Sequence, residues 1–316
     1  MFFKNIVIAV AGVQGSQLAV QIAFTGYPVT VWVRNEDSKK RAEAKISAVA
    51  SNYKNVLLKA KEAIMSNNSA VLSQLYCKSL CSFDEFCDED KLGAMLEAID
   101  NLSIIIETTT DVFKNADLIV ETIKEDVEVK KTFYNSLVPL VNNKVIITTN
   151  SSSYAPSMFI KNVPDSSRYL MMHFASPVIK CDMAEIMCHN GDENLKPTNK
   201  KVADKVYDFA KSIGMSPTRI EKEIPRGVLN FMIIPWMAKA AYLWGSDISS
   251  PQDIDKTWMA GTMHCVGPFM LMDAVGLNIV YEILMTMDGV TIEGHPFNVV
   301  KNRIETMMSN NEKFYK

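Results

Sequence analysis

Two short runs of apolar residues, joined by a glycine-containing turn and a helix, open the chain. Residues 6–10 are apolar, residues 17–25 carry apolar side chains at helical spacing, and residues 29–33 are rich in β-branched residues. A strand, a turn, a helix and a second strand within about 30 residues are typical of a βαβ unit, which places parallel strands in one sheet with right-handed crossovers. The pattern therefore predicts an α/β fold from the first strand onward.

The remainder of the chain divides into an α/β part and an all-helical part. Further strands are expected at residues 117–122, 145–149, 168–173 and 184–187, and helices at 129–140 and 200–213. Residues 37–104 are polar and mostly helical in pattern, and they are too long for a simple crossover, so we expect an inserted helical arm. After about residue 221 apolar residues recur only at helical spacing. We therefore predict a Rossmann-type doubly wound sheet in residues 1–221 and an all-α domain in residues 222–316.

The composition is that of a globular protein with two domains. The 316 residues are 48% apolar and 22% charged, with a formal net charge of −3, so nothing favours a nucleic-acid or membrane partner. We find no targeting segment and no run of about 20 apolar residues, which a membrane-spanning helix needs. Cys77, Cys81 and Cys87 form a cluster, but no histidine lies near them in the sequence and their spacing fits no zinc motif. We expect free thiols, no metal and a cytoplasmic protein.

A candidate dinucleotide-binding turn follows the first strand. Gly12 and Gly15 occupy positions where a G-x-G-x-x-G fingerprint lets the backbone approach a pyrophosphate and lets the helix pack closely on the strand. The helix that follows directs its positive end toward a phosphate. Val10 stands at the first glycine position, where a β-branched side chain makes a positive φ costly. We predict that this turn, with Val13 and Gln14, binds a cofactor; the alternative is an ordinary turn that contains two glycines.

The end of the second strand bears on which nicotinamide cofactor is used. An aspartate or glutamate at this position binds the ribose 2′-hydroxyl of NAD, but the chain has Val33 there, followed by Arg34. An arginine just beyond the strand can hold a 2′-phosphate through charge-assisted hydrogen bonds. The pair therefore favours NADP over NAD. The alternative is that Arg34 is a solvated surface residue.

Several sequence tracts follow one another in a characteristic order. They are A-D-L-I-V-E-T-I-K-E at residues 116–125, T-N-S-S-S at 149–153, M-H-F-A-S-P-V at 172–178, a glutamate twelve residues after that histidine, and V-L-N-F at 228–231. In this order and spacing they resemble the short-chain 3-hydroxyacyl-CoA dehydrogenase family, with its diketoreductase-like and λ-crystallin/gulonate dehydrogenase-like members. The resemblance covers about residues 4–282. It implies a Rossmann-type first domain, a helical second domain that forms a homodimer, and NAD as the usual cofactor.

The resemblance also implies a catalytic pair and a set of ligand contacts. By resemblance His173 is the general acid/base, Glu185 orients it, and Ser152 and Asn230 hold the substrate oxygen. Histidine suits proton transfer because its unperturbed pKa, about 6.5, lies near working pH. Hydrogen-bond donors that are already in place stabilise the alkoxide that develops during the reaction. The other residues expected to contact the cofactor are Thr122, Glu125, Lys130, Asn150 and Ser176.

Three departures from the family pattern leave the cofactor and the substrate open. Val10 replaces a glycine, Val33 replaces the ribose-binding acid, and Ser176 replaces an asparagine. The first hypothesis is hydride transfer at C3 of a 3-hydroxyacyl-CoA or 3-ketoacyl-CoA, as in fatty acid metabolism. The second keeps this chemistry on a non-CoA 3-hydroxy acid, diketo ester or sugar acid, and the third is an inactive homologue with a binding or structural role. The candidates for contact with CoA phosphates are the arm residues Lys54, Lys59 and Lys61; the alternative is that these lysines form a solvated helix face.

Overall fold

The computed structural model describes residues 1–315 and divides the chain into two compact units, Met1–Val228 and Leu229–Lys316. The first unit is an eight-stranded sheet with a hydrophobic core on each face. The second unit is helical and has a core of its own. The predicted doubly wound sheet, its helical arm and the all-helical C-terminal part are confirmed.

The sheet has the strand order β3-β2-β1-β4-β5-β6-β7-β8. The strands are β1 Ile6–Ala9, β2 Val29–Trp32, β3 Ile104–Glu107, β4 Leu118–Glu121, β5 Ile146–Thr149, β6 Tyr169–Phe174, β7 Met183–Met187 and β8 Ser216–Ile220. Strands β1 to β6 are parallel, and β7 pairs with β6 in the antiparallel sense. The central strands are mostly apolar because helices cover both faces of the sheet, and every side chain of β1 and β4 is buried, including that of Glu121 at the end of β4.

Helices of very different length surround the sheet of the first unit. They are α1 Val13–Phe24, α2 Glu36–Met65, α3 Ser69–Leu75, α4 Phe83–Phe86, α5 Glu89–Asp100, α6 Val127–Leu137 and α7 Lys200–Ser212. Helices α2 to α5 form the predicted insertion between β2 and β3. Asn35 is the N-cap of α2. Its side chain accepts a hydrogen bond from the Ser38 amide and so caps the first turn of the helix. The arm is tied to α1 by the buried Tyr53 hydroxyl, which donates to Gln21 Oε1 at 2.7 Å.

Two strands and one pairing direction differ from the sequence prediction. Strands β3 and β8 were not predicted, and both lie at an edge of the sheet. The sequence pattern implied a parallel sheet, whereas β7 and β8 run opposite to the other strands. A short connection from β6 to β7 makes the antiparallel pairing possible, since a parallel return needs a longer crossover.

The second unit packs five helices around an apolar centre. They are α8 Gly227–Gly245, which begins in the first unit, α9 Pro251–Thr262, α10 Pro268–Val275, α11 Leu277–Leu284 and α12 Pro296–Ser309. The C-terminal segment returns to this core: the Asp273 carboxylate accepts hydrogen bonds from the Phe314 and Tyr315 amides. The Phe314 ring is buried, with its centroid 4.8 Å from that of Phe269. Of the helices described, none is both long and apolar enough to cross a membrane.

Candidate active site

Two titratable residues lie directly opposite each other on neighbouring strands. His173 of β6 is in register with Glu185 of β7, and the His173 Nδ1 atom is 2.9 Å from Glu185 Oε2. Both side chains are buried, with relative exposures of 4% and 2%. An ionisable pair is costly to bury unless it is hydrogen-bonded. Here the Glu185 carboxylate provides the hydrogen-bond partner of the Nδ1 atom of His173. Because Nδ1 meets the carboxylate, the other ring nitrogen, Nε2, points away from Glu185.

The glycine turn after β1 adopts the conformation that its glycine pattern requires, although a valine occupies the first position. Val10 has a φ of 76°, which an L-residue reaches only at a cost of about 1–2 kcal/mol. Its amide donates to the Trp32 carbonyl at 2.8 Å, and its carbonyl accepts from Thr122 Oγ1 at 2.6 Å. These two contacts hold the turn between β2 and β4.

Gly15 and Gly12 of this turn have different surroundings. A Cβ atom on Gly15 would lie 2.2 Å from the Val10 carbonyl oxygen and 2.6 Å from Thr122 Oγ1, so the close contact of helix α1 with the turn requires glycine there. Apart from Gly12 and its two neighbours in the chain, no residue from 1 to 315 has an atom within 4 Å of the corresponding position on Gly12. The backbone at Gly12 is thus open to a ligand, and Val13, with 66% of its surface exposed, follows it at the start of α1.

Two glutamines connect the start of α1 to the segment after His173. Gln14 Nε2 donates to the Phe174 carbonyl at 2.8 Å, and Gln17 Oε1 accepts from the Val178 amide at 2.8 Å. Gln17 Nε2 also donates to Ser176 Oγ at 3.1 Å. The helix that carries the candidate cofactor turn is therefore held to the strand that carries the histidine. Gln17 was not predicted as a site residue. Its position in the helix gives no indication of partners that lie about 160 residues further along the chain.

A buried ion pair lies where β4 and β5 end. Glu121 Oε1 is 2.7 Å from Lys130 Nζ, and these side chains are 0% and 1% exposed. Lys130 Nζ is also 3.1 Å from Glu125 Oε2, and Glu125 accepts hydrogen bonds from Ser151 Oγ and from the Ser153 amide. The charged group thus organises the loop that contains the candidate substrate residue Ser152. Glu121 was noted in the sequence only as part of the tract at residues 116–125. A single acid at the end of an apolar strand nevertheless indicates a buried charge that needs a partner.

The remaining candidates from the sequence lie in three places. Ser152 is exposed, next to the buried Asn150, whose Oδ1 atom accepts a hydrogen bond from the Phe174 amide at 3.0 Å. Arg34 is exposed just after β2. Asn230 belongs to the second unit and lies in the first turns of α8.

A cleft of about 600 Å³ lies beside the glycine turn. Val10, Trp32 and Arg34 line it, together with residues of α6 and the segment before it. Most of its surface is apolar, which suits a flat ring system. The Trp32 indole N–H is buried and has no hydrogen-bond partner within residues 1–315. The cleft thus combines an apolar wall with the guanidinium group of Arg34.

Two of the three candidate lysines of the arm, Lys54 and Lys61, pair with acidic side chains of α5, and Lys59 is exposed. Lys54 Nζ is 2.6 and 2.8 Å from the two carboxylate oxygens of Asp100. Lys61 Nζ is 3.5 Å from Glu89 Oε1. All six cysteines are free, and among residues 1–315 no group of three His, Cys, Asp or Glu side chains is placed to hold a metal ion.

Comparison with known proteins gives matches over nearly the whole chain. The family profile "3-hydroxyacyl-CoA dehydrogenase, NAD binding domain" matches residues 5–224, and "3-hydroxyacyl-CoA dehydrogenase, C-terminal domain" matches residues 228–315. The human mitochondrial hydroxyacyl-coenzyme A dehydrogenase is 25% identical over 275 residues, which cover 87% of this chain and 77% of the human protein.

Solved structures with the same architecture include enzymes with different substrates. A diketoreductase, described as acting on dicarbonyl compounds, superposes with a TM-score of 0.76 and 28% identity, and the match covers 99% of each chain. An (S)-3-hydroxybutyryl-CoA dehydrogenase from Ralstonia eutropha has a TM-score of 0.68 and 20% identity over 98% of this chain and 94% of its own. The second likeness concerns the fold.

Proposed function

The chain belongs to the 3-hydroxyacyl-CoA dehydrogenase family of NAD-binding oxidoreductases, and we propose that it transfers a hydride between a nicotinamide cofactor and C3 of a 3-hydroxyacyl-CoA or 3-ketoacyl-CoA. The observation that carries the proposal is the buried contact between His173 and Glu185. An imidazole in contact with a carboxylate is the arrangement that general acid/base catalysis by histidine uses.

In the proposed mechanism His173 moves the proton that accompanies hydride transfer. During oxidation, His173 Nε2 accepts the proton of the substrate hydroxyl while the hydride leaves C3, and during reduction it returns that proton to the developing alkoxide. Glu185 accepts the hydrogen bond from Nδ1, which selects the tautomer with a free Nε2 and stabilises the imidazolium that forms. Ser152 and Asn230 are the proposed hydrogen-bond donors to the substrate oxygen.

The nicotinamide cofactor accepts or donates the hydride. The glycine turn after β1 and the cleft beside it are suited to bind this cofactor. We propose that the turn at Gly12 to Gly15 receives the pyrophosphate and that Glu125 contacts the cofactor. The predicted cofactor contact of Lys130 is corrected: its side chain is 1% exposed and pairs with Glu121 and Glu125, so it positions Glu125 instead. The apolar cleft at Val10 and Trp32 suits an adenine ring. Thr122, Asn150 and Ser176 complete the proposed set.

The proposed cofactor preference is for NADP. Arg34 lines the cleft just beyond β2, and the adjacent residue is Val33, which offers no carboxylate to a ribose 2′-hydroxyl. A guanidinium at this place can bind a 2′-phosphate in bidentate fashion. A charge-assisted hydrogen bond is worth about 1.5–3 kcal/mol, so we expect R34A to raise the KM for NADPH by about tenfold or more and to leave the KM for NADH nearly unchanged. R41A, on the exposed start of α2, is the matched control.

A second candidate substrate class is the non-CoA one, and the arm favours it. CoA carries several phosphate charges, whereas Lys54 and Lys61 are paired with Asp100 and Glu89. The diketoreductase that this chain resembles is described as acting on dicarbonyl compounds. On this alternative the same catalytic pair interconverts the hydroxyl and oxo forms of a non-CoA substrate, namely a 3-hydroxy acid, a diketo ester or a sugar acid.

We also propose that the protein is a homodimer. The family resemblance implies that the second unit forms the interface, and exposed apolar side chains of α8 support this assignment: Phe231 is 58% and Met232 is 60% exposed in the single chain. Sedimentation or light scattering of the purified protein measures the state directly.

The decisive experiment compares initial rates of reduction of acetoacetyl-CoA and of a 3,5-diketo ester, each with NADH and with NADPH. Turnover of acetoacetyl-CoA that falls by about 100-fold or more in H173N and E185Q supports the proposed function. Turnover of the diketo ester alone selects the second candidate. Cofactor binding without turnover of either substrate would refute both and would favour an inactive homologue that only binds its ligand. A preference for NADH would refute the assignment of Arg34.

A further inference from the structure

A tight turn brings the start of α8 against the candidate catalytic carboxylate. Arg226 and Gly227 both have left-handed backbone conformations, with φ values of 74° and 69°. An L-residue such as Arg226 is rarely found there, because the conformation costs about 1–2 kcal/mol. The surrounding structure therefore imposes this turn. Gly227 is buried, and α8 begins at it.

Gly227 has no room for a side chain, and the group that excludes one is Glu185. A Cβ atom on Gly227 would lie 2.2 Å from Glu185 Oε2, 3.0 Å from Cδ and 3.4 Å from Oε1. The Oε2 atom is the one that lies 2.9 Å from His173 Nδ1. The backbone of Gly227 thus forms one wall of the space in which the carboxylate meets the histidine.

The backbone at this place also suits a negative charge. A left-handed residue followed by helical residues turns successive N–H groups toward one side, which creates a concavity that attracts anions. The first N–H groups of a helix have no partner within the helix, and they carry the positive end of its dipole. The Glu185 carboxylate lies against this end of α8.

The segment before the turn is held in place by contacts of its own. The Ser157 amide donates to Glu223 Oε1 at 2.5 Å, and the Ile224 amide donates to the sulfur of Met187, the last residue of β7, at 3.3 Å. The second contact joins Ile224 to the strand that carries Glu185, and the first holds Glu223 to the loop that contains Ser157. These contacts therefore fix the distance between the turn and the Glu185 carboxylate.

We propose that Gly227 is a positioning residue for the reaction: its bare backbone at the start of α8 fixes the Glu185 carboxylate in the orientation that holds His173 Nδ1. This inference rests on the proposed function of the histidine and glutamate pair. On this proposal the turn at Gly227 affects the rate of proton transfer. It does not affect cofactor binding at the glycine turn after β1.

The first test is the G227A variant, assayed beside G26A. Gly26 has a φ of +87° and no atom within 4 Å of its Cβ position, so G26A carries the backbone strain without a collision. We expect G227A to lower kcat by about 10- to 100-fold, the range that a misplacement of about 1 Å produces, with the dissociation constant of the cofactor unchanged. G26A is expected to lower the melting temperature and to keep kcat. Equal kcat values in G227A and G26A would overturn the inference.

The second test asks whether the effect passes through Glu185. In an E185D background the carboxylate is one methylene shorter, so the added methyl group of G227A has less to collide with, and we expect the further loss of kcat to be severalfold smaller than in the natural background. If G227A fails to fold, the double variant E185A/G227A must still fold, because the colliding group is gone; its melting temperature should fall below that of E185A only by about as much as G26A lowers that of the natural protein. An E185A/G227A protein that also fails to fold overturns the inference. Full activity of E185Q and H173N would instead refute the proposed function itself.

Discussion

The buried charge of Glu121 provides the sharpest stability prediction. All four acceptor directions of its carboxylate are used: Oε1 is 2.7 Å from Lys130 Nζ and 2.8 Å from the Ile123 amide. Oε2 accepts from the Tyr134 and Thr149 hydroxyls, both at 2.7 Å. Burial and the neighbouring Glu121 raise the pKa of Tyr134 well above its ordinary value, so the phenol stays protonated and donates.

The perturbation is E121Q, which keeps the size of the side chain and removes its charge. The amide nitrogen cannot accept a hydrogen bond, and the Lys130 ammonium, 1% exposed, retains only Glu125 as a charged partner. Removing one partner of a buried ion pair costs about 3–5 kcal/mol, whereas a domain is stable by about 5–15 kcal/mol in total. We therefore expect a loss of about 6–20 °C in the melting temperature, at about 2–4 °C per kcal/mol for a unit of this size.

The assay is thermal and urea unfolding of E121Q, K130M, the double variant E121Q/K130M, and the control E128Q. Glu128 pairs with Lys131 at 2.8 Å but is 80% exposed, so E128Q should change the free energy of unfolding by less than about 1 kcal/mol. The double variant should cost about 2 kcal/mol less than the sum of the single variants, since each single one leaves a charge unpaired. A loss below about 1 kcal/mol in E121Q, or strict additivity of the two changes, would refute the reasoning.

Three further predictions follow from the same structure. Because the φ of Val10 is 76°, V10G should be more stable in urea than V10A by about 1 kcal/mol, the reverse of the ordinary cost of glycine, and the opposite order would contradict the strained turn. F314A should destabilise the protein by about 3 kcal/mol in thermal unfolding, since the Phe314 ring is buried against Phe269; an unchanged transition would show that the C-terminal segment is not part of the core. Burial raises the pKa of Cys81 to about 12, so at pH 8 only about one thiol in 10,000 is ionised and its alkylation should accelerate as the pH rises toward 12. Mass spectrometry should therefore find the exposed Cys265 modified first, and faster modification of Cys81 at pH 8 would oppose this assignment.

The central strands could be predicted from the sequence because burial on both faces makes them largely apolar, as in β1 and in the first three residues of β4. The edge strands could not. An edge strand has a neighbouring strand on one side and solvent on the other. The edge strand β8 therefore tolerates Pro217 and the exposed Arg219, and Ile105 of the edge strand β3 is 58% exposed. Their membership of the sheet depends on backbone pairing with β7 and β2, which leaves little trace in the pattern of side chains.

The sequence by itself indicated the glycine turn and every strand of the sheet except β3 and β8, because each of these is a run of residue types at short range. Its resemblance to a known family implied His173 and Glu185 as the candidate catalytic pair. Tertiary structure alone decided that β6 and β7 pair antiparallel, which places residues twelve positions apart directly opposite each other. It also decided that Val10 takes a conformation usual for glycine, and that Gly227 lies against the Glu185 carboxylate. These outcomes depend on contacts between segments distant in the chain, whose packing energies outweigh local preference.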